Sequence, residues 1–312
     1  MTFKEEVTVL SYGLPINYDL FVFDSRYDVE YPVDLNTGVI GEKEYTFIVK
    51  DGFFKREVKH TVRVVDDIPP NFELEYLVII TNSNKPEQFH NNIKGKPTDN
   101  YDRTVKVETT DVIGDKAGIY VINFVATDEA GNSTTKKATY LYKLTPNNMK
   151  KPFYYNYNGA DIIICNKLIP LPKSYGSGND KTAKRQLDKM LEAIRKAGKG
   201  SIAIKSAYRS YATQQGLYNR YVAQDGEAQA SRYSAKPGHS EHQTGLAFDI
   251  GKISESFDKT PAFEWLKEHA HEYGFIMRYP KGKENITGYM YEPWHYRYVG
   301  VDLATAIHQS GG

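Results

Sequence analysis

The sequence predicts a multidomain protein in which two all-β sandwich modules precede an α+β domain. Its 312 residues exceed the size of one typical domain, which is about 100–150 residues. Up to about residue 146, short runs of alternating apolar residues are separated by Asp, Asn, Gly and Pro, as in strands and turns. Beyond about residue 160, apolar residues recur at helical spacing. We therefore expect β modules at 1–67 and 68–146, a linker at 147–159 and the α+β domain at 160–312.

An internal repeat at an offset of 77 residues supports the two β modules. Each copy runs from a glycine into a strand with alternating apolar residues, and then turns at an aspartate. The matched positions are Gly41, Tyr45, Phe47, Val49 and Asp51 in one copy, and Gly118, Ile122, Phe124, Ala126 and Asp128 in the other. Between the copies, the segment 66–70 (DDIPP) predicts a stiff joint, because its two prolines favour extended backbone.

The elements of the α+β domain follow from periodicity and from helix-ending residues. Leu187, Met190, Leu191 and Ile194 share one helical face, and Gly198 follows that helix. The same reasoning predicts helices at 182–197, 213–224, 227–232, 261–271 and 301–308, and strands at 201–204, 275–279 and 289–298. Such a mixture of short strands and helices is typical of an α+β domain.

Composition excludes several classes of protein. The formal net charge is +1, so the chain lacks the excess of Lys and Arg that binds nucleic acid through its phosphates. Its single cysteine, Cys165, cannot form an internal disulfide. We find neither an apolar run of the roughly 20 residues that span a membrane nor an N-terminal signal peptide.

Residues 240–249 (SEHQTGLAFD) and 292–295 (EPWH) bring histidines and carboxylates into two short motifs. Three such ligands, with a further carboxylate nearby, are the components of a catalytic zinc site. His242, Asp249 and His295 would supply the ligands, although spacing alone leaves His239 as an alternative to His242. The HExxH motif is absent. A structural interpretation also stands, with Asp249 in a strand-end turn and His295 stacked in the core.

Four ordered motifs resemble those of the VanY-type D-alanyl-D-alanine carboxypeptidases. The resemblance covers roughly residues 160–307. The motifs are 206–210 (SAYRS), 237–250 (PGHSEHQTGLAFDI), 273–284 (YGFIMRYPKGKE) and 292–300 (EPWHYRYVG).

The resemblance implies one catalytic zinc ion held by His242, Asp249 and His295. It implies that Glu292 is the catalytic carboxylate and that Arg209 faces the scissile carbonyl. Hydrolysis by zinc-activated water would release D-alanine from a peptidoglycan stem peptide, without an acyl-enzyme.

Two further residues are implied less directly, because Gln214 and Ser240 match positions that anchor substrate in the family. For both, structural alternatives stand: Gln214 as a solvated helix residue and Ser240 as a turn cap. The specificity also has alternatives. The chain could be an L,D-carboxypeptidase on tetrapeptide stems or a peptidoglycan endopeptidase. A catalytically silent cell-wall binding or adhesion protein is the alternative from another class.

The β modules resemble the immunoglobulin-like modules of bacterial surface proteins, through the junction 64–70 (VVDDIPP) and the hairpin 128–133 (DEAGNS). They would space the catalytic domain from its attachment point or bind a surface ligand. Because peptidoglycan lies outside the membrane, the resemblance implies an exported, cell-wall-associated protein whose signal or anchor lies outside these 312 residues.

Overall fold

The computed structural model describes residues 3–22 and 27–311. The chain divides into two units, Met1–Tyr142 and Lys143–Gly312. Among the described residues, no helix has both the length and the apolar character that a membrane crossing requires.

The N-terminal unit is built from strands, in agreement with the sequence. Its described elements are β1 (Val7–Ser11), β2 (Asp28–Glu30), β3 (Gly41–Asp51), β4 (Phe54–Val65), β5 (Asn71–Leu74), β6 (Val78–Thr81), α1 (Glu87–His90), β7 (Ile93–Thr98), β8 (Lys106–Thr109), β9 (Gly118–Thr127) and β10 (Ser133–Tyr142). Two four-stranded sheets have the orders β1-β4-β3-β2 and β6-β10-β9-β8, and β5 pairs with β7. The prediction that this region is built from β-strands is therefore confirmed, because its strands form several sheets.

The internal repeat corresponds to the two long hairpins of these sheets, β3-β4 and β9-β10. In each sheet, the second hairpin strand also pairs in parallel with an earlier strand, β1 or β6. Alternate residues of a strand face one side of its sheet, and the repeated apolar positions are the buried ones: Tyr45, Phe47, Val49, Ile122, Phe124 and Ala126.

The C-terminal unit combines helices with small sheets. Its described elements are β11 (Phe153–Tyr157), β12 (Ala160–Ile164), α2 (Lys181–Lys196), β13 (Ile204–Ser206), α3 (Tyr211–Tyr233), β14 (Ala247–Ile250), α4 (Pro261–His269), β15 (Phe275–Met277), α5 (Glu284–Thr287), β16 (His295–Tyr298) and α6 (Val301–Gln309). Four of these strands form an antiparallel sheet in the order β13-β14-β16-β15. The α+β prediction agrees with this content.

Helix α2 covers one face of that sheet. Asp180 caps its N-terminus by accepting a hydrogen bond from Ala183 N (2.8 Å). The helix buries a stripe at helical spacing, formed by Ala183, Leu187, Met190 and Ile194, against Phe248, Ile250 and Tyr296. Because successive strand residues point to opposite faces, Asp249 and His295 point away from this core.

The strand predicted at 201–204 is observed as β13, Ile204–Ser206, and three larger differences from the predicted elements also occur. The predicted linker 147–159 contains β11, which forms a hairpin with β12 through Asn158 and Gly159, both at positive φ. Burial of Met149 and Phe153 adds this segment to the C-terminal unit. The helices predicted at 213–224 and 227–232 form the single element α3, which breaks only at Gly226 (φ 77°, ψ 157°).

The third difference shapes the site. A strand predicted at 289–298 is confined to β16, which begins at His295. Pro293 cannot donate to a sheet ladder, and His295 N donates to Glu292 O (3.1 Å) to close a turn. The turn places Glu292 beside the first residue of β16.

Candidate metal centre

Two of the predicted ligands are direct neighbours across the sheet. Asp249 of β14 pairs with His295 of β16, and residues opposite each other on adjacent strands have Cβ atoms about 4.5–5.5 Å apart. His295 Nδ1 lies 3.2 Å from Asp249 Oδ1. The sheet register alone therefore brings these two side chains together.

His242 reaches the same point from a short 3₁₀ turn, Glu241–Thr244. Gly245 ends this turn at φ +74°, and a Cβ atom there would lie 2.3 Å from Gly178 O, so only glycine fits. His242 Nε2 lies 3.2 Å from Asp249 Oδ2. Among the described residues, His242, Asp249 and His295 each bring one ligand atom within 4.8 Å of the other two.

Hydrogen bonds behind the two imidazoles leave one nitrogen of each facing the cluster. His242 Nδ1 bonds to Ala207 O (2.8 Å), which directs Nε2 inwards. His295 Nε2 bonds to Glu241 Oε2 (3.3 Å), which directs Nδ1 inwards. A carboxylate or carbonyl that accepts the outer N–H is the usual support of a metal-binding histidine, because it fixes tautomer and ring orientation.

These residues fit a divalent metal of the zinc type. Asp249 Oδ1 is buried and makes no hydrogen bond, although His295 Nδ1 lies 3.2 Å away, and a buried acceptor in this condition is stabilised by a bound cation. Two imidazole nitrogens and a carboxylate form a common ligand set of catalytic zinc. The unpartnered oxygen therefore favours a bound cation. The two imidazoles and the carboxylate favour zinc as that cation.

The electrostatics of the three side chains agree with cation binding. Burial lowers the pKa of His242. Burial opposes charge on His295 as well, but Asp249 and Glu241 raise its pKa to about 10. Burial would raise the pKa of Asp249, yet interactions with both histidines hold it well below its usual range. Without metal, His295 therefore keeps a proton that a bound cation would replace.

Glu292 lies at the edge of this cluster. Its Oε2 is 3.5 Å from His295 Nδ1, and the residue is 8% exposed. Burial raises its pKa to about 7, with a further increase from Asp249. A carboxyl group with a pKa near neutrality can both accept and donate a proton at physiological pH, as a general acid–base group must.

Arg209 faces the cluster from the segment between β13 and α3. Its Nη1 donates to Gln214 Oε1 (2.7 Å) and its Nη2 to Ser206 Oγ (3.0 Å). Gln214 is fully buried and donates in turn to Ala235 O (2.6 Å). The observed contacts of Gln214 are those of a residue that orients Arg209. Direct contact of Gln214 with substrate stays a prediction.

A cavity of about 340 Å³ opens over these groups. It includes Arg209, Ser240, Glu292 and all three predicted metal ligands, together with Tyr221, Tyr233, Met290 and Trp294. Trp294 packs against the core of the unit and also lines the cavity. His239 lies elsewhere, where its Nδ1 bonds to Asn166 O (2.8 Å).

Sequence reasoning gave no role to the buried ion network behind His295. Glu241 is 4% exposed, and its Oε1 accepts from Arg278 Nε (2.9 Å) and Arg297 Nη1 (3.1 Å). Burial would raise the pKa of Glu241, but the two arginines hold it well below its usual range. One sequence signal could have indicated this network: Glu241, Arg278 and Arg297 are charged residues of opposite sign within three of the VanY-type motifs, 237–250, 273–284 and 292–300.

The Glu241→Gln variant is expected to bind zinc about 10–100-fold more weakly, as is typical when such a supporting residue is lost. The amide oxygen would face the arginines, so its N–H₂ would face His295 Nε2 and shift the ring proton to Nδ1. That tautomer cannot bind a metal through Nδ1. Competition with a chromogenic zinc chelator measures the affinity, and circular dichroism establishes that the variant is folded. Unchanged zinc affinity in a folded variant would contradict this role, and Glu264→Gln on the exposed face of α4 is the control.

A model of the VanY family, described as D-alanyl-D-alanine carboxypeptidase, matches residues 177–301. This range contains each of the predicted site residues. Residues 177–301 therefore form a VanY-family domain. The protein YodJ of Bacillus subtilis (strain 168) is 40% identical over 169 residues, which cover 50% of this chain and 59% of that protein.

Two solved structures are also similar to the C-terminal part of the chain. The LdcB LD-carboxypeptidase is 46% identical over 53% of this chain and 89% of its own, with a TM-score of 0.48. A vancomycin-resistance D,D-pentapeptidase VanY, solved with Zn(II), is 34% identical over 48% of this chain and 93% of its own, with a TM-score of 0.42. The chain spans less than two thirds of the length of the curated relatives it matches.

Proposed function

We propose that this chain is a zinc-dependent carboxypeptidase that removes the C-terminal D-alanine from peptidoglycan stem peptides. The observation that carries the proposal is the cluster of His242, Asp249 and His295, with Glu292 3.5 Å from His295 in the same cavity. Membership of the VanY family supports the substrate class, because its description names a D-alanyl-D-alanine carboxypeptidase. A D,D-carboxypeptidase is the first candidate.

His242, Asp249 and His295 would hold the zinc ion. When bound, zinc supplies Lewis acidity, which strengthens both water as an acid and a peptide carbonyl as an electrophile. Glu292 would take the proton from the attacking water and deliver it to the leaving amine, so it acts as base and then as acid. Arg209, held by Gln214 and Ser206, would donate to the carbonyl oxygen as negative charge develops there.

An L,D-carboxypeptidase is the second candidate, since that activity is in the name of the LdcB relative. The two activities differ in the configuration of the residue before the cleaved bond. Tyr221, Tyr233 and Met290 line the cavity, and we expect them to contact that residue of the substrate.

Product identification separates these candidates. The zinc-loaded full chain is incubated with a pentapeptide stem ending in D-Ala-D-Ala and, separately, with a tetrapeptide stem ending in L-Lys-D-Ala. Mass spectrometry of the products then identifies the bond that is cut. We expect D-alanine release from the pentapeptide; release from the tetrapeptide alone would assign the L,D activity. Zinc binding without cleavage of either peptide, or of cross-linked dimers, would instead indicate a silent binding protein.

We further propose that the N-terminal unit consists of two immunoglobulin-like modules on an exported, cell-wall-associated protein. Its repeated sheet order supports paired modules, and a peptidoglycan substrate requires a location outside the membrane. Protease treatment of intact cells, followed by immunoblotting, tests the location: an accessible chain supports export, and a chain protected until lysis contradicts it.

A further inference from the structure

A second group of acidic side chains lies in the N-terminal unit, far along the sequence from the zinc ligands. Asp66 follows β4, Asp99 and Asp102 lie between β7 and β8, and Asp128 begins the turn between β9 and β10. One carboxylate oxygen from each of Asp66, Asp102 and Asp128 lies within 4.8 Å of the other two. Three segments that are distant in sequence therefore direct negative charge at one point.

An independent observation shows that this group lacks a positive partner. Both carboxylate oxygens of Asp66 are buried and accept no hydrogen bond. Oδ1 of Asp99 is likewise buried and accepts no hydrogen bond. Buried acceptors in folded proteins almost always have a donor or a cation. Burial, together with the charges of Asp99 and Asp128, raises the pKa of Asp66; the backbone N–H of Ile68 and the side chain of Asn100, which approach this carboxylate without forming a well-aligned hydrogen bond, lower that pKa only in part.

The surrounding backbone holds these carboxylates in place. Asp99 Oδ2 accepts from the backbone N–H of Tyr101 (2.8 Å) and of Asp102 (2.9 Å). Asp102 Oδ2 accepts from Glu129 N (2.7 Å), which connects the loop before β8 to the β9-β10 turn. Backbone N–H groups therefore hold the Asp99 and Asp102 carboxylates in this converging arrangement.

The turn at Asp128 extends this framework to the segment after β4. Asn132 Nδ2 donates both to Asp128 Oδ2 (2.8 Å) and to Asp66 O (3.1 Å). The backbone beside the unpartnered Asp66 carboxylate is therefore fixed to the second sheet's hairpin.

We propose that Asp66, Asp102 and Asp128, with Asp99 beside them, form a Ca²⁺ site in the N-terminal unit. The donors are all oxygens, which suits a hard cation and disfavours zinc. Ca²⁺ binds oxygens at about 2.3–2.6 Å, so two ligands of one ion can be separated by up to roughly 5 Å, in keeping with the observed 4.8 Å limit. Mg²⁺ needs shorter bonds and a strict octahedron, and it usually keeps several waters.

Such a site would join the DDIPP segment to two loops of the following sheet. Binding would neutralise the repulsion among the four carboxylates, so the N-terminal unit should unfold at higher temperature when Ca²⁺ is present. This consequence concerns unit stability, and it does not depend on the proposed carboxypeptidase activity.

Calorimetric titration of the full chain with CaCl₂ tests the proposal. The protein is first freed of metal with a chelating resin and reloaded with one equivalent of zinc, so that the histidine cluster does not compete. We expect one Ca²⁺ per chain with a Kd in or below the range of about 10⁻⁴–10⁻³ M, typical of extracellular modules. Absence of Ca²⁺ binding up to about 10 mM would overturn the proposal; tighter binding of Mg²⁺ would overturn the assignment to Ca²⁺.

Asp66→Asn and Asp51→Asn form a matched pair of variants. Asp51 is the repeat counterpart of Asp128 and lies exposed at the end of β3. We expect Asp66→Asn to weaken Ca²⁺ binding at least about 10-fold and Asp51→Asn to leave it unchanged. Without Ca²⁺, Asp66→Asn should melt no lower than the parent chain, because it relieves repulsion. Equal Ca²⁺ affinities for the two variants, or a Ca²⁺-induced rise in melting temperature that survives in Asp66→Asn, would refute the site.

Discussion

Removal of transition metal from the full chain is expected to abolish stem-peptide hydrolysis, and one equivalent of Zn²⁺ is expected to restore it. The loss should be complete within the detection limit, because the site residues retain no other source of Lewis acidity. The metal-free cluster would also hold a proton on His295, whose pKa lies near 10, in place of the cation. Release of D-alanine from a pentapeptide stem, before and after treatment with 1,10-phenanthroline, measures the effect.

The choice of chelator separates the two proposed metal sites. 1,10-Phenanthroline binds zinc through soft nitrogen donors and leaves Ca²⁺, a hard cation, largely untouched. Addition of Ca²⁺ or Mg²⁺ should not restore hydrolysis, because two of the three ligands at the cluster are imidazoles. Activity that persists after the zinc content has fallen to zero would refute the proposed function while leaving the Ca²⁺ site untouched.

Glu292→Gln is expected to lower kcat/KM by roughly 10²–10⁴-fold, the usual contribution of a general acid–base group. Glutamine preserves the size of the side chain but cannot accept the proton of water or pass it to the amine. Zinc should remain bound at one ion per chain, because Glu292 lies beside the cluster of His242, Asp249 and His295 and is not a member of it. Steady-state kinetics and elemental analysis of the same sample measure both quantities.

Two further measurements make this expectation specific. Glu268→Gln, an exposed position on α4, is the matched control and should retain full activity. Loss of zinc from Glu292→Gln would show that Glu292 is a ligand, and normal turnover with zinc bound would remove it from the role of general base.

Local sequence patterns predicted much of the fold because the forces that determine it are local or periodic. The repeat positions Phe47 and Phe124 alternate with polar residues, so their burial followed from strand geometry. The stripe on α2 followed in the same way from helical periodicity. The hairpin of β11 and β12 was missed because its buried residues, Met149 and Phe153, lie in a segment whose overall composition is that of a linker.

The candidate site shows where pattern reasoning stops. Spacing could not separate His239 from His242, since the decision depends on the orientation of a turn that ends at Gly245. Motif resemblance selected His242, and the structure places that residue within the cluster. Nothing in the spacing indicated that Glu241 would lie behind His295, because their contact depends on the path of two separate segments.

The strand register that pairs Asp249 with His295 determines the stage of folding at which the entropy cost of ordering the metal site arises. These residues are 46 positions apart in the chain (295 − 249), and they meet because β14 and β16 pair in one particular alignment. Their backbone entropy is therefore lost when the sheet forms, and little further ordering accompanies capture of the ion. A shift of β14 or of β16 by one residue would turn the ligand on that strand into the core and separate the pair. Metal capture should consequently be a late event that reports completed folding of the C-terminal unit.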